Sequence, residues 1–143
     1  MFELSLKKIK ECYKKFNILY FNGKLPRCSF CIKHTYNYVA CFEYKRNKNG
    51  KPIGLYILFT NNIMWDEETF RNALMHEMIH CYLVCCCTKN KCTIEHGDDF
   101  IKIMNHFNNT YNFNIVVKSD ITTLKPAHGI SKFRWWLFKK IGR

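Results

Sequence analysis

The chain has 143 residues and carries 23 Lys and Arg against 11 Asp and Glu, a formal net charge of +12 with a pI near 9.4. At 48% hydrophobic and 16% aromatic it has the means to bury a core, which excludes a disordered chain, and its length suits one domain. No apolar run reaches the about 18 residues of a membrane span, and "MFELSLKKIKECYKK" has charges where a signal peptide needs a continuous apolar stretch, so a soluble, intracellular, non-secreted protein is expected.

Residues 2 to 20 read as an amphipathic helix: Phe2, Leu6, Ile9, Tyr13 and Phe16 share a stripe, and Lys7, Lys8, Lys10, Lys14 and Lys15 fall mostly off it as a solvated face. "FNGKLP" closes it with a Gly and a Pro. "CSFCIK", "YVACFEY" and "IGLYILFT" alternate as three strands, the last two joined by "KRNKNGKP" with its Asn49-Gly50 turn. A second helix follows Asp66, an N-cap residue, with Glu67 and Glu68 in the first turn where the helix dipole favours acids. Phe70, Leu74, Met78, Ile79, Tyr82 and Leu83 then recur at helical spacing. Phe100, Ile103, Met104, Phe107 and Tyr111 mark a third helix with Asp98 or Asp99 near its N-cap. A short strand, "NFNIVVK", and a basic-aromatic end, "SKFRWWLFKKIGR", complete the chain. The expected class is α+β, a small antiparallel sheet packed against the N-terminal, second and third helices, with a domain over residues 1–130 and a tail over 131–143.

Nine cysteines are an odd number, and without a secretory signal they read as reduced thiols. "RCSFC" looks like half a zinc knuckle, but strand alternation sends Cys28 and Cys31 to opposite faces. Cys81, Cys85, Cys86, Cys87 and Cys92 continue an apolar helix and read as packed thiols rather than a second metal site.

The chemistry concentrates in "RNALMHEMIHCYLVCCC", residues 71–87. On a helix, His76 and His80 lie about 40° apart on one face with Glu77 beside them. Taking isolated imidazoles and a carboxylate out of water costs several kcal/mol each, and a divalent metal on the two imidazoles reverses that penalty. H-E-x-x-H on a helix is the zinc-hydrolase pattern, with ~0.01 chance matches expected for a chain of this composition. A catalytic zinc takes three protein ligands and keeps a fourth position for water. The residues after His80, "CYLVCC", exclude the short metzincin spacing, which leaves His96 and Glu95 as neighbouring candidates for the third ligand.

These residues, with "YFNGKLP" before them, "EHGDDF" and "YNFNIVV" after them and "FRWW" near the end, resemble the SprT-like zinc metalloproteases of the Spartan type over almost the whole chain. The resemblance implies a zincin-like core and a Zn2+ site of three histidines, His76, His80 and His96, with Glu95 a neighbour. It also implies that Glu77 is the general base of an endopeptidase acting on proteins attached to or sitting on DNA. The chain departs from the Spartan pattern after "FRWW", which resembles the first strand of a zinc ribbon, because "LFKKIGR" brings no paired Cys.

Charge points the same way, since clustered Lys and Arg release counterions on binding phosphates. In place of a ribbon the tail offers Trp135 and Trp136 to stack unpaired bases and Lys132, Arg134, Lys139, Lys140 and Arg143 to meet phosphates, so single-stranded DNA is the expected partner of a monomer with no membrane role. The same tail also fits a strand in which Phe133, Trp135 and Leu137 face the core. The competing reading of the chain is a DNA-binding module whose zinc is structural or idle.

Overall fold

A computed structural model describes residues 1–87 and 95–141. Cys92 and Arg143 lie outside them.

Helix α1 spans Leu6–Phe21, capped by Ser5, whose side chain accepts from the Lys8 backbone N–H. It starts later than the apolar stripe suggests, and Ile9, Tyr13 and Phe16 are the stripe residues that become buried. Asn22, at φ 53°, ends it in the left-handed region that Asn tolerates better than most residues. Three strands follow: β1 (Ser29–Lys33), β2 (Ala40–Arg46) and β3 (Pro52–Thr60). Gly50, at φ 80°, makes the expected turn between the last two.

The sheet order is β1-β3-β2, with β2 antiparallel to β3 and β1 parallel to it. The α+β class stands, and the sheet is mixed rather than antiparallel throughout. The reason lies in β3, whose end, Ile57 to Thr60, is buried at four successive residues. A strand buried on both faces takes the centre, and β2 is then left at an edge.

Helix α2 (Glu67–Cys85) is capped by Asp66, whose carboxylate accepts from the Thr69 N–H at 2.7 Å. Helix α3 spans Asp98–Tyr111. The core joins Ile9 and Phe16 of α1, Ile57 and Phe59 of β3, Leu74 and Met78 of α2, and Phe100 and Phe107 of α3 in one cluster. Each such side chain contributes roughly 1.5–3 kcal/mol on burial.

Two segments differ from their sequence reading. "NFNIVVK" alternates as expected, with Phe113 and Ile115 buried, but belongs to no strand. Its backbone is held by side chains instead: Asn108 donates to the Ile115 carbonyl at 2.9 Å and accepts from the Ile115 N–H at 2.8 Å, and Asn72 accepts from the Asn114 N–H at 3.0 Å. The end of the chain forms a helix, α4 (Lys132–Ile141), not a strand. Helical spacing buries Phe138 and half-buries Trp135, stacked at 5.9 Å, and turns Phe133 and Trp136 outward, 69% and 49% exposed.

A directed chain of hydrogen bonds ties α4 down. Arg134 can only donate, so His34 accepts at Nε2 (2.6 Å) and must carry its proton on Nδ1, which donates to Asn62 Oδ1 at 2.8 Å. Asn62, fully buried, then donates to the Thr35 carbonyl at 2.5 Å and accepts from the Ala127 N–H at 2.9 Å. Cys12, Cys28, Cys31, Cys41, Cys81, Cys85 and Cys86 are free thiols, whereas Cys87 is disulfide-bonded, against the expectation of reduced thiols throughout. That expectation concerns redox surroundings, which say nothing of which sulfurs the fold brings together.

Candidate metal centre

Four-residue spacing on α2 sets His76 and His80 on one face, and the turn before α3 brings His96 to meet them. The three Nε2 atoms lie 3.1 Å from one another. Tetrahedral zinc, with Zn–N of about 2.0–2.1 Å, sets its ligand nitrogens roughly 3.3 Å apart. Among the described residues these three form the group of His, Cys, Asp and Glu ligand atoms that converges closely enough for a metal ion. Glu95 is exposed and stands outside it.

The tautomer of His76 follows from its surroundings. Its Nδ1 faces the Val116 carbonyl oxygen at 2.8 Å, and a carbonyl can only accept, so the proton sits on Nδ1 and the Nε2 lone pair points into the triad. Burial holds His76 down to about 4, with the Val116 bond opposing and His96 adding. Burial likewise lowers His80 to about 3, helped by His76 and His96. Imidazole nitrogens that converge in this way are the donor set a borderline-soft dication takes.

Phe100, fully buried, forms the floor. Its ring lies 4.8, 4.6 and 4.9 Å from those of His76, His80 and His96. Its place four residues after His96 is the one sequence signal for that role, and the apolar stripe of α3 masks it. Val116 is a second supporting residue that the sequence does not mark, because it acts through its backbone.

Glu77 points from α2 toward the edge strand β2. It is buried, and burial pushes its carboxyl up to about 8, against a hydrogen bond from the Phe42 backbone and with Glu95 adding. A carboxyl so placed can take up or release a proton near neutrality. Burial also raises the Tyr38 phenol, with Cys41 and Glu43 adding. His34 is engaged with Arg134 and Asn62, and His106 faces Thr110 on α3 at 3.3 Å.

The tail residues separate by face. Arg134 is committed to His34, and Trp135 packs inward with Lys139 over its ring at 5.6 Å. Trp136 is outward, with Lys140 over its ring at 4.7 Å and Phe133 stacked at 6.0 Å. Trp136, Lys139 and Lys140 border an open groove of about 640 Å³, closed on its other side by Lys118, Ser119 and Thr122. Lys132 is exposed at the start of the helix. No helix among the described residues is long and apolar enough to cross a membrane.

Compared with known proteins, the chain matches the model of the SprT-like family over residues 9–119, which include all three histidines and Glu77. No curated protein and no solved structure matches it.

Proposed function

The chain belongs to the SprT-like family, and from that premise we propose that it is a zinc-dependent endopeptidase acting on proteins bound or crosslinked to DNA. The observation that carries the reading is the meeting of three imidazole nitrogens at 3.1 Å beside a buried Glu. His76, His80 and His96 hold the zinc. When bound, zinc supplies Lewis acidity toward water and a peptide carbonyl, and a positive charge that draws Glu77 back toward its carboxylate form.

Glu77 is the general base. Its carboxylate takes a proton from the attacking water and returns it to the leaving amine. The Phe42 backbone steadies the carboxylate from β2. Val116 fixes the tautomer of His76, and the Phe100 ring keeps water from the inner side of the triad.

The DNA part of the reading rests on charge and on α4. The net charge of +12 favours a polyanion, and the outward face of α4 combines Lys132, Trp136, Lys139 and Lys140 without an acid. The test is cleavage of a histone-like protein by the zinc-loaded chain, with and without single-stranded DNA, beside Glu77→Gln. Cleavage by wild type alone, raised by DNA, is the expected result. Zinc binding with no cleavage by either protein would favour the structural-zinc, DNA-binding alternative.

A further inference from the structure

Cys28, in the irregular stretch entering β1, and Cys81, one residue past His80 on α2, bring their sulfurs to 3.9 Å. Cys81 is fully buried and Cys28 is half-buried. Tyr13 of α1 completes the cluster: its hydroxyl oxygen is 3.3 Å from Cys28 Sγ, 3.9 Å from Cys81 Sγ and 2.6 Å from the Pro26 carbonyl oxygen. A phenol has one proton and a carbonyl can only accept, so Tyr13 gives its proton to Pro26 and offers the thiols an acceptor. Burial, with Cys81 and Cys28 adding, pushes the phenol far above its ordinary value, so that proton stays in place. Three elements therefore meet at two sulfurs already in contact, which the proposed reaction does not use.

We propose that Cys28 and Cys81 are a reversible disulfide site, oxidised by a low-molecular-weight disulfide, that ties the entry of β1 to the metal-bearing helix. Cys28 reacts first, because it is the more accessible of the two thiols. Its thiolate attacks one sulfur of the small disulfide, expelling one small thiolate and leaving a mixed disulfide on Cys28. The Cys81 thiol then attacks the Cys28 sulfur and passes its proton to the second small sulfur as that sulfur is expelled as a thiol. The two protein thiols lose two electrons and two protons, and the small disulfide gains both and leaves as two thiols.

Closure from 3.9 Å to a bond of about 2.05 Å falls to Cys28, whose backbone is in neither helix nor strand. Cys85, which hydrogen-bonds Cys81 from one turn on, is the rival partner. Residues four apart on a helix hold their Cβ atoms about 5–6 Å apart, and a disulfide needs roughly 3.5–4.5 Å. The helix therefore opposes that pairing. A Cys28–Cys81 bond closes a 53-residue span, and loop closure on that scale raises the thermal midpoint by on the order of 10 °C.

The experiment treats the full zinc-loaded chain with oxidised glutathione or with dithiothreitol, alkylates the remaining thiols and maps the peptides by mass spectrometry. Expected are a cross-linked peptide joining Cys28 to Cys81, its disappearance on reduction, and a raised midpoint that Cys28→Ser abolishes. The inference is overturned if both thiols remain alkylated after oxidation, if Cys81 is joined to Cys85, or if Cys28 stops at the mixed disulfide. A cross-link without a rise in midpoint overturns the bracing role. Mapping needs no variant to fold and no peptidase activity, so its failure is distinct from failure of the proposed reaction.

Discussion

Helices α2 and α4 use polar residues in opposite ways. On α2, Glu77 is buried and His76 and His80 are largely withdrawn from water, among Leu74, Met75, Met78 and Ile79. On α4, the lysines stand in solvent and Phe138 is fully buried. Withdrawn polar groups cost free energy that a bound metal would return, so the burial pattern of α2 is one that a metal ligand would account for. An exposed basic-aromatic face costs little, so α4 signals a partner only through what it leaves uncovered.

The largest expected break in this contrast is at the triad. His96→Ala removes one of three convergent nitrogens, and zinc in the purified protein, measured by atomic emission, should fall from about one per chain to near none. Glu95→Ala should keep it. Zinc retained in the first variant and lost from the second would reverse the assignment. Stripping the wild type with a chelator should lower its thermal midpoint, since a ligand of the folded state stabilises it by mass action.

Next in size is Glu77→Gln. The amide has nearly the same shape but takes no proton, so zinc and fold should persist while peptide cleavage falls roughly 10²- to 10⁴-fold. Cleavage at the wild-type rate would take Glu77 out of the mechanism and with it the reason for its burial.

The same contrast explains what the sequence made legible. His76, Glu77 and His80 could be read because helical periodicity and an Asp66 cap fix which way each residue of α2 faces. His96 needed the family resemblance, because the turn that carries it follows a stretch with no periodicity. The support from Val116 and Asn108 was out of reach, since one acts through a carbonyl and the other bonds a segment that sequence alternation reads as a strand. "KFRWWLFKK" was ambiguous for a physical reason: aromatic residues at 133, 135, 136 and 138 satisfy both a two-residue and a helical period. The contact that decides between them, Phe138 in the core, is tertiary.

Phe138→Ala tests whether that contact holds α4 apart from α2. Truncating a buried Phe costs about 3–5 kcal/mol, and here the loss should fall first on α4, whose other anchors are Arg134 and Trp135. Hydrogen exchange should show the amides of residues 132–141 losing protection while those of 74–82 keep theirs, with zinc still bound. Equal loss along both helices would mean that α4 is part of one cooperative unit with the metal core.

The smallest effects separate the two tryptophans. On the proposed DNA reading, Trp136 is the ring whose surroundings are open to a base, and its replacement by Ala should weaken single-stranded DNA binding by about 1–3 kcal/mol. Trp135 faces the core cluster and carries Lys139 on its ring, so Trp135→Ala should lower stability and leave the affinity of the folded fraction largely unchanged. Lys139→Ala and Lys140→Ala each remove one phosphate contact, and the slope of log affinity against log salt should become shallower by roughly 0.7 per lysine. A chain ending at Gly129 removes the whole face at once. If that chain stays folded and keeps both affinity and salt slope, the polyanion sits elsewhere, and the lysines of α1 and of the β2–β3 turn become the surface to mutate. If affinity falls while the slope is unchanged, α4 contributes stacking alone, and the phosphates are held by Lys118 and its neighbours across the groove.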